Sequence, residues 1–182
     1  SVDLEASTRL GITVCNCQAY GTPSVVQHVF SLMLALMTRL PDYHQAVREG
    51  RWQQAKQFCL LDYPIRELAG KTLGIVGFGE LGKGVARIAE AFGMTVLIAQ
   101  RPGSLEPPNG RLPLTALLPQ VDVLSLHCPL TPETRGLIGA WELALMKRDA
   151  ILINAARGGI VDEAALAKAL RSGALGGAGV DV

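Results

Sequence analysis

The sequence predicts an α/β fold, a doubly wound parallel sheet with helices on both faces, and three observations carry that prediction. From residue 73 onward, apolar runs too short for helices alternate with segments whose apolar residues recur three or four apart. One run, 73–76, leads directly into Gly77, Gly79 and Gly82 in G-x-G-x-x-G spacing. The composition, 49% apolar and 18% charged over 182 residues, is that of one compact domain with a substantial core.

In chain order, Ser1-Val2-Asp3 leads into a short helical pattern, and residues 12–15 read as a strand whose sheet neighbours are not nearby. That start, without an initiator Met, is expected of a segment from within a larger protein. A long helix is expected over residues 24–40, capped by Ser24. Its apolar residues, among them Val25, Val29, Phe30, Leu32, Met33, Leu36, Met37 and Leu40, run most of the way round the cylinder, so cover by another domain or subunit is expected. His28, within it, fits a buried or interface position better than a catalytic one. Pro41 breaks or kinks this helix, and a more polar helical piece runs to about Trp52, read as a packing anchor. Residues 53–69 read as an exposed connection.

The central unit follows. The strand 73–76 enters the glycine turn, Leu81, Val85, Ile88, Ala89 and Phe92 form one helical stripe, Gly93 ends the helix, and 94–99 is a second strand. The Pro- and Gly-rich stretch 102–113 reads as a loop. A short helix over 114–118, a strand over 121–126, a helix over 141–147 and a strand over 150–154 come next. Asp162 caps a helix ending at Gly173, and 178–182 reads as a last strand that stops with the chain. Ligands of such sheets bind beyond the carboxyl ends of the strands, which gathers four loops: 77–82, 100–101, 127–131 and 155–159.

The glycines explain what that gathering serves. In a strand-turn-helix unit the first makes the tight turn, the second lets a pyrophosphate approach the backbone, and the third lets helix and strand pack closely. Free N–H groups and the helix dipole attract the phosphates. A Rossmann-type dinucleotide site at Gly77, Gly79 and Gly82 is the expectation.

Charge and cysteine usage narrow the class. A formal net charge of +1, with acids and bases interspersed, gives no footprint for nucleic acid. The longest apolar stretches, such as 33–37, fall far short of the roughly 18 residues a membrane helix needs, and no basic-then-apolar leader opens the chain. A cytoplasmic protein without a membrane partner is expected. Cys15, Cys17, Cys59 and Cys128 lack metal-ligand spacing, so no metal site is expected; Cys15 and Cys17 would lie on one face of a strand as small apolar side chains.

Three stretches, GIVGFGELG, LHCPLTPETRGLIG and ILINAARGGIVDEAAL, in that order and at these separations, resemble the D-isomer-specific 2-hydroxyacid dehydrogenases. YGTPSVVQHVFSLMLAL with the Trp52 region is most similar to the glycerate dehydrogenase and hydroxypyruvate reductase branch. The resemblance implies NAD(P)-dependent hydride transfer between a small 2-hydroxy acid and a 2-oxo acid of the hydroxypyruvate or glyoxylate class. It assigns Arg157 to the substrate carboxylate, a role suited to a planar, always-charged guanidinium. The family's catalytic glutamate and histidine would fall beyond Val182, and His127 lies on a cofactor-side strand, so the 182 residues alone are expected to be catalytically incompetent. Residues 1–20 are expected to be a remnant of the substrate domain and hinge, and 21–182 the dinucleotide-binding domain, incomplete at its C-terminal end.

For the cofactor, the resemblance assigns the backbone of Glu80 and Leu81 to the pyrophosphate, Cys128 and Pro129 to the adenosine side, and Ala155, Arg157 and Asp181 to the nicotinamide region. Gln100 departs from the pattern. An NAD-preferring member would carry an acid there for the ribose 2′-OH; Gln100 removes its charge, and Arg101, with Ser104 nearby, offers attraction to a 2′-phosphate, which puts NADP ahead of NAD. A homodimer through the 24–40 helix is expected. The alternative is an NAD(H)-binding corepressor or sensor module of the same fold.

Overall fold

Thr72–Val76 (β1), Thr95–Ala99 (β2), Arg111–Leu112 (β3), Val123–Leu126 (β4), Ile151–Asn154 (β5) and Gly177–Val180 (β6) form one sheet in the order β3-β2-β1-β4-β5-β6, every neighbouring pair parallel. This arrangement comes from a computed structural model that describes residues 2–17, 20–104 and 110–182. Strand order reverses between β1 and β4, which opens a crevice at their carboxyl ends.

Alternation along β1 sorts the core into two layers. Leu73 and Ile75 point to one face, where they join Val29, Met33 and Met37 of the helix Thr22–Met37 (α2) and Val85 and Ala89 of the helix Glu80–Ala91 (α5). Val76 points to the other, with Leu117, Leu126, Leu143, Leu152 and Leu166. That second layer is closed by Leu114–Leu117 (α6), Ala140–Leu145 (α7) and Glu163–Arg171 (α8). Strands covered on both faces read as continuous apolar runs, which is why these were visible in the sequence. At the opposite end of β1 from the crevice, Asp122 accepts from the Thr72 amide at 2.8 Å and from Lys147 Nζ at 2.9 Å. Partial burial opposes ionisation of this carboxyl, but those two donors outweigh it and hold its pKa below the ordinary value.

Several expectations are corrected. The long helix begins at Thr22 with Gly21 at the N-cap, so Ser24 lies inside it and caps nothing. Pro23 accounts for the earlier start, because its fixed φ and missing N–H suit a first turn. The helix ends at Met37, Arg39 takes a left-handed conformation with φ 56°, and Pro41 sits in the first turn of a new helix, Leu40–Arg48 (α3). Part of the apolar surface of α2 is covered within the chain, by α5, β5 and β6, while Val26, Phe30 and Leu34 line an open groove beside α5. Close approach to α5 depends on Gly84, where a Cβ would stand 2.8 Å from Val26 Cγ2.

Residues 12–15 form no strand, because no described strand lies beside them to complete a ladder. Cys15 and Cys17 are therefore exposed and share no strand face. Trp52, on the short helix Arg51–Gln54 (α4), is 52% exposed and belongs to neither core layer. The connection around it is instead fastened by Tyr63, which stacks edge-on to Tyr43 and sits under Arg39 and Arg51, while Arg51 pairs with Asp62. On α5, Val85 and Ala89 are buried as expected, but Ile88 and Phe92 stay partly exposed; Phe92 stacks on Phe30 at 5.5 Å. Within the stretch read as a loop, Arg111–Leu112 forms the edge strand β3, and residues 105–109 lie outside the described residues. The last strand runs over Gly177–Val180, so Asp181 and Val182 follow it.

Asp3 caps the short helix Leu4–Arg9 (α1), and Asp162 Oδ1 accepts from the Ala165 amide at 3.0 Å to cap α8. Among the described residues no helix is long and apolar enough to cross a membrane, and no group of three metal-ligating side chains converges.

Candidate functional site: a glycine-floored cleft at the strand ends

The cleft is floored by the turn that β1 makes into α5. Gly77 has φ 95°, a conformation only glycine adopts readily, and a Cβ there would stand 2.6 Å from the Cys128 amide nitrogen. The β1 turn thus rests on the backbone that follows β4. Gly82 lies over Gly77 so closely that a Cβ would be 2.2 Å from the Gly77 carbonyl oxygen. Gly79 is different. A Cβ there would meet nothing within 4 Å, and no side chain caps the start of α5. Two glycines are therefore required by packing, and the third leaves open space at a helix N-terminus whose amides and dipole favour an anion.

Gly77, Gly79, Arg101, Cys128 and Pro129 line one cavity of about 750 Å³. Gln100 faces a smaller recess beside it, where its amide donates to the Ser104 carbonyl at 2.5 Å. Glu80 and Leu81 open α5, and the Glu80 side chain faces away from the cleft, into a groove between α2 and α5. Ala155, Arg157 and Asp181 do not line the cavity; they lie past the ends of β5 and β6. Arg157 is exposed, with Nη1 donating to the Ala156 carbonyl at 2.7 Å.

A residue the sequence reading passed over organises that second group. Asn154, 2% exposed, closes β5; its side-chain oxygen accepts from the Ala156 amide at 3.1 Å, and its Nδ2 donates to the Arg157 carbonyl at 3.0 Å. Its own carbonyl accepts from the Asp181 amide at 3.0 Å. The buried Asn154 thereby sets the turn that presents Arg157 through its side chain and holds Asp181 through its main chain. His28 Nε2 is 3.4 Å from Asp181 Oδ1, so this histidine joins the same corner from α2. The strand-ending asparagine before Ala-Ala-Arg was the available signal, since an Asx side chain at a strand end commonly shapes the following turn.

Electrostatics divide the cleft. His127, at the end of β4, has Nε2 2.8 Å from Ser125 Oγ, while Nδ1 is buried without a partner among the described residues. Desolvation lowers its pKa to about 4, so the ring is neutral near pH 7 and a weaker base than an ordinary histidine. Burial likewise raises the Cys128 thiol, which keeps it protonated and inert. At the far end, hydrogen bonds from Thr131 and from its own backbone, with the charge of Arg101, hold the Glu133 carboxyl below its ordinary value. Arg111 and Glu133 both line the cavity, and neither stood out in the sequence.

Comparison with known proteins agrees with this arrangement. The chain is 51% identical over 181 residues to a glycerate dehydrogenase of Methylorubrum extorquens, matching 100% of this chain and 56% of that protein. Among solved structures, the TT0316 protein of Thermus thermophilus superposes with a TM-score of 0.88 at 42% identity, over 100% of this chain and 57% of that one. An acyclic imino acid reductase, Bsp5, in complex with NADPH and D-Arg superposes with a TM-score of 0.84 at 32% identity, over 98% of this chain and 57% of that one. The chain thus spans little more than half the length of these relatives. Residues 30–182 match the model of the D-isomer specific 2-hydroxyacid dehydrogenase, NAD binding domain. A parallel sheet in this strand order, a glycine-floored cleft at its switch point and that match together mean that the chain belongs to the D-isomer specific 2-hydroxyacid dehydrogenase family.

Proposed function

We propose that the protein carrying this chain is an NAD(P)-dependent oxidoreductase acting in the cytoplasm on a small 2-oxo or 2-hydroxy acid of the hydroxypyruvate or glyoxylate class. Residues 21–182 are its dinucleotide-binding unit, and residues 1–20 belong to the hinge toward a substrate domain. The observation that carries the reading is the open space over Gly79 at the uncapped start of α5, inside a chain of this family. That space and those amides fit a pyrophosphate. The nicotinamide, when bound, supplies or accepts the hydride.

The chain's own residues hold and orient. The backbone of Glu80 and Leu81 faces the pyrophosphate, Cys128 and Pro129 wall the adenosine side, and Ala155 and Asp181 flank the nicotinamide end. Arg157 grips the substrate carboxylate, a task for which a bidentate guanidinium is suited and an ammonium is not. Asn154 positions it through the turn described above. Gln100 and Arg101 favour NADP(H) over NAD(H): no carboxylate stands at position 100, and Arg101 lies in the cavity wall.

The apolar groove between α2 and α5, lined by Val26, Phe30, Leu34 and Ile88, receives a second copy of the chain, giving a homodimer. The test of the function is turnover of hydroxypyruvate and glyoxylate with each dinucleotide. Hydride transfer to either acid supports the reading, and binding of dinucleotide with no turnover of any small 2-oxo acid overturns it. A preference for NADH of roughly tenfold or more in Kd, about 1.4 kcal/mol, overturns the NADP(H) assignment.

A further inference from the structure

The end of the cleft beyond Gln100 carries more charge than position 101 alone explains. Arg111 enters it from β3, whose residues pair with Ile98 and Ala99 of β2, so the guanidinium of Arg111 rises on the strand next to the one that presents Arg101. Facing them is Glu133, on the segment after β4. The two sides nearly touch, since a Cβ on Gly103 would stand 3.7 Å from Glu133 Cγ. The wall between them also holds Pro102 and Ser104. Two guanidiniums on one side and one carboxylate on the other is an odd arrangement for a neutral ribose. It is a suitable one for a phosphate monoester, because the two arginines can share a dianion while the carboxylate faces Arg101 when no anion is present.

We infer that Arg111 is a specificity-determining residue, which with Arg101 forms a two-arginine pocket for a phosphate on the adenosine ribose, and that Glu133 is the counter-charge competing for Arg101. The inference rests on the dinucleotide reading above and deepens it by naming the residues that tell NADPH from NADH. Neither residue lies in the glycine turn or at position 100, and Arg111 is separated from Arg101 by the residues between β2 and β3. Arg101 and Glu133 are exposed and Arg111 is half-buried, so salt weakens their effect.

The experiment is the dissociation constant of NADPH and of NADH, each by calorimetry at fixed ionic strength, for the full protein and for Arg111→Gln, Arg111→Lys and Glu133→Gln. Loss of a charge-assisted contact predicts NADPH binding roughly tenfold weaker in Arg111→Gln, with NADH changed less than about twofold and partial recovery in Arg111→Lys. Glu133→Gln moves the other way, tightening NADPH by roughly threefold and leaving NADH alone. Opposite signs on one ligand separate charge reading from structural damage, which would weaken both dinucleotides in every variant. Equal effects of Arg111→Gln on NADPH and NADH overturn the role of Arg111, and a Glu133→Gln protein that binds NADPH no tighter overturns that of Glu133. If the unaltered protein binds neither dinucleotide, the cofactor reading itself fails and this inference with it. If it binds NADH more tightly but Arg111→Gln still weakens NADPH selectively, the pocket stands and only the preference is revised.

Discussion

The two ends of the cleft are made of different material. At the glycine end the walls are main chain: Gly77 against the backbone of His127 and Cys128, Gly82 against the carbonyl of Gly77. At the far end the walls are side chains, Gln100 in its recess and Arg101, Arg111 and Glu133 around the cavity. Main-chain geometry recognises what all dinucleotides share, a pyrophosphate, and it cannot be changed without moving the fold. Side chains at the surface can be exchanged at little cost to the fold, so discrimination belongs there. On the function proposed above, the family chemistry is fixed where the walls are main chain and tuned where they are side chains.

Substitutions at the two ends test this division. Gly82→Ala brings the largest effect, because the new Cβ meets a rigid carbonyl 2.2 Å away. A loss of about 3 kcal/mol or more in urea-induced unfolding, or failure to fold, is expected; an unfolding midpoint equal to that of the unaltered protein would contradict the packing described.

Acid is expected to loosen the same end. His127 has its pKa lowered to about 4 in the folded chain and an ordinary value near 6.5 in the unfolded one. Between those values the unfolded chain binds more protons, so stability declines as pH falls from 6.5 to 4, by on the order of 3 kcal/mol. Above 6.5 and below 4 this group contributes no slope. His127→Gln flattens that part of the profile, and urea midpoints measured at intervals across the window show whether it does.

Gly79→Val separates ligand from fold. With nothing within 4 Å of its Cβ, the change leaves the melting temperature within a few degrees, yet it fills the space over the α5 amides and weakens both dinucleotides by roughly a hundredfold. A large stability loss, or unchanged Kd, would count against the comparison. The smallest effect belongs to the far end: Gln100→Asp weakens NADPH by roughly tenfold, tightens NADH severalfold and leaves unfolding unchanged. If it shifted NADPH and NADH alike, position 100 would not be part of the discriminating end.

The same contrast explains how much could be read from the sequence. The β-α-β unit was legible because burial on both faces leaves continuous apolar runs at Leu73, Ile75 and Val76, and because a glycine turn has a fixed spacing. The cleft floor followed from the same three glycines. Arg111 was illegible because its strand has two residues and no period, and Glu133 because it reaches the cleft only through the fold's approach of one loop to another. Asn154 was hidden inside an apolar run it terminates. Trp52 misled for a plainer reason, since a large aromatic side chain states a preference for burial, and the 51–66 segment found its anchor in Tyr63 instead. The extent of apolar surface on α2 was visible, but the identity of its cover was not: helix periodicity reports which residues want partners and not where the partners come from.

The unequal status of the three glycines has a bearing on descent. A lineage that ceased to use a dinucleotide would still be held to Gly77 and Gly82, because the main chain around them leaves room for nothing larger. Position 79, with open space around it, would be released at once. Two glycines surviving beside a substituted third would then record an inherited fold whose ligand has gone, and an intact trio would record one still in service.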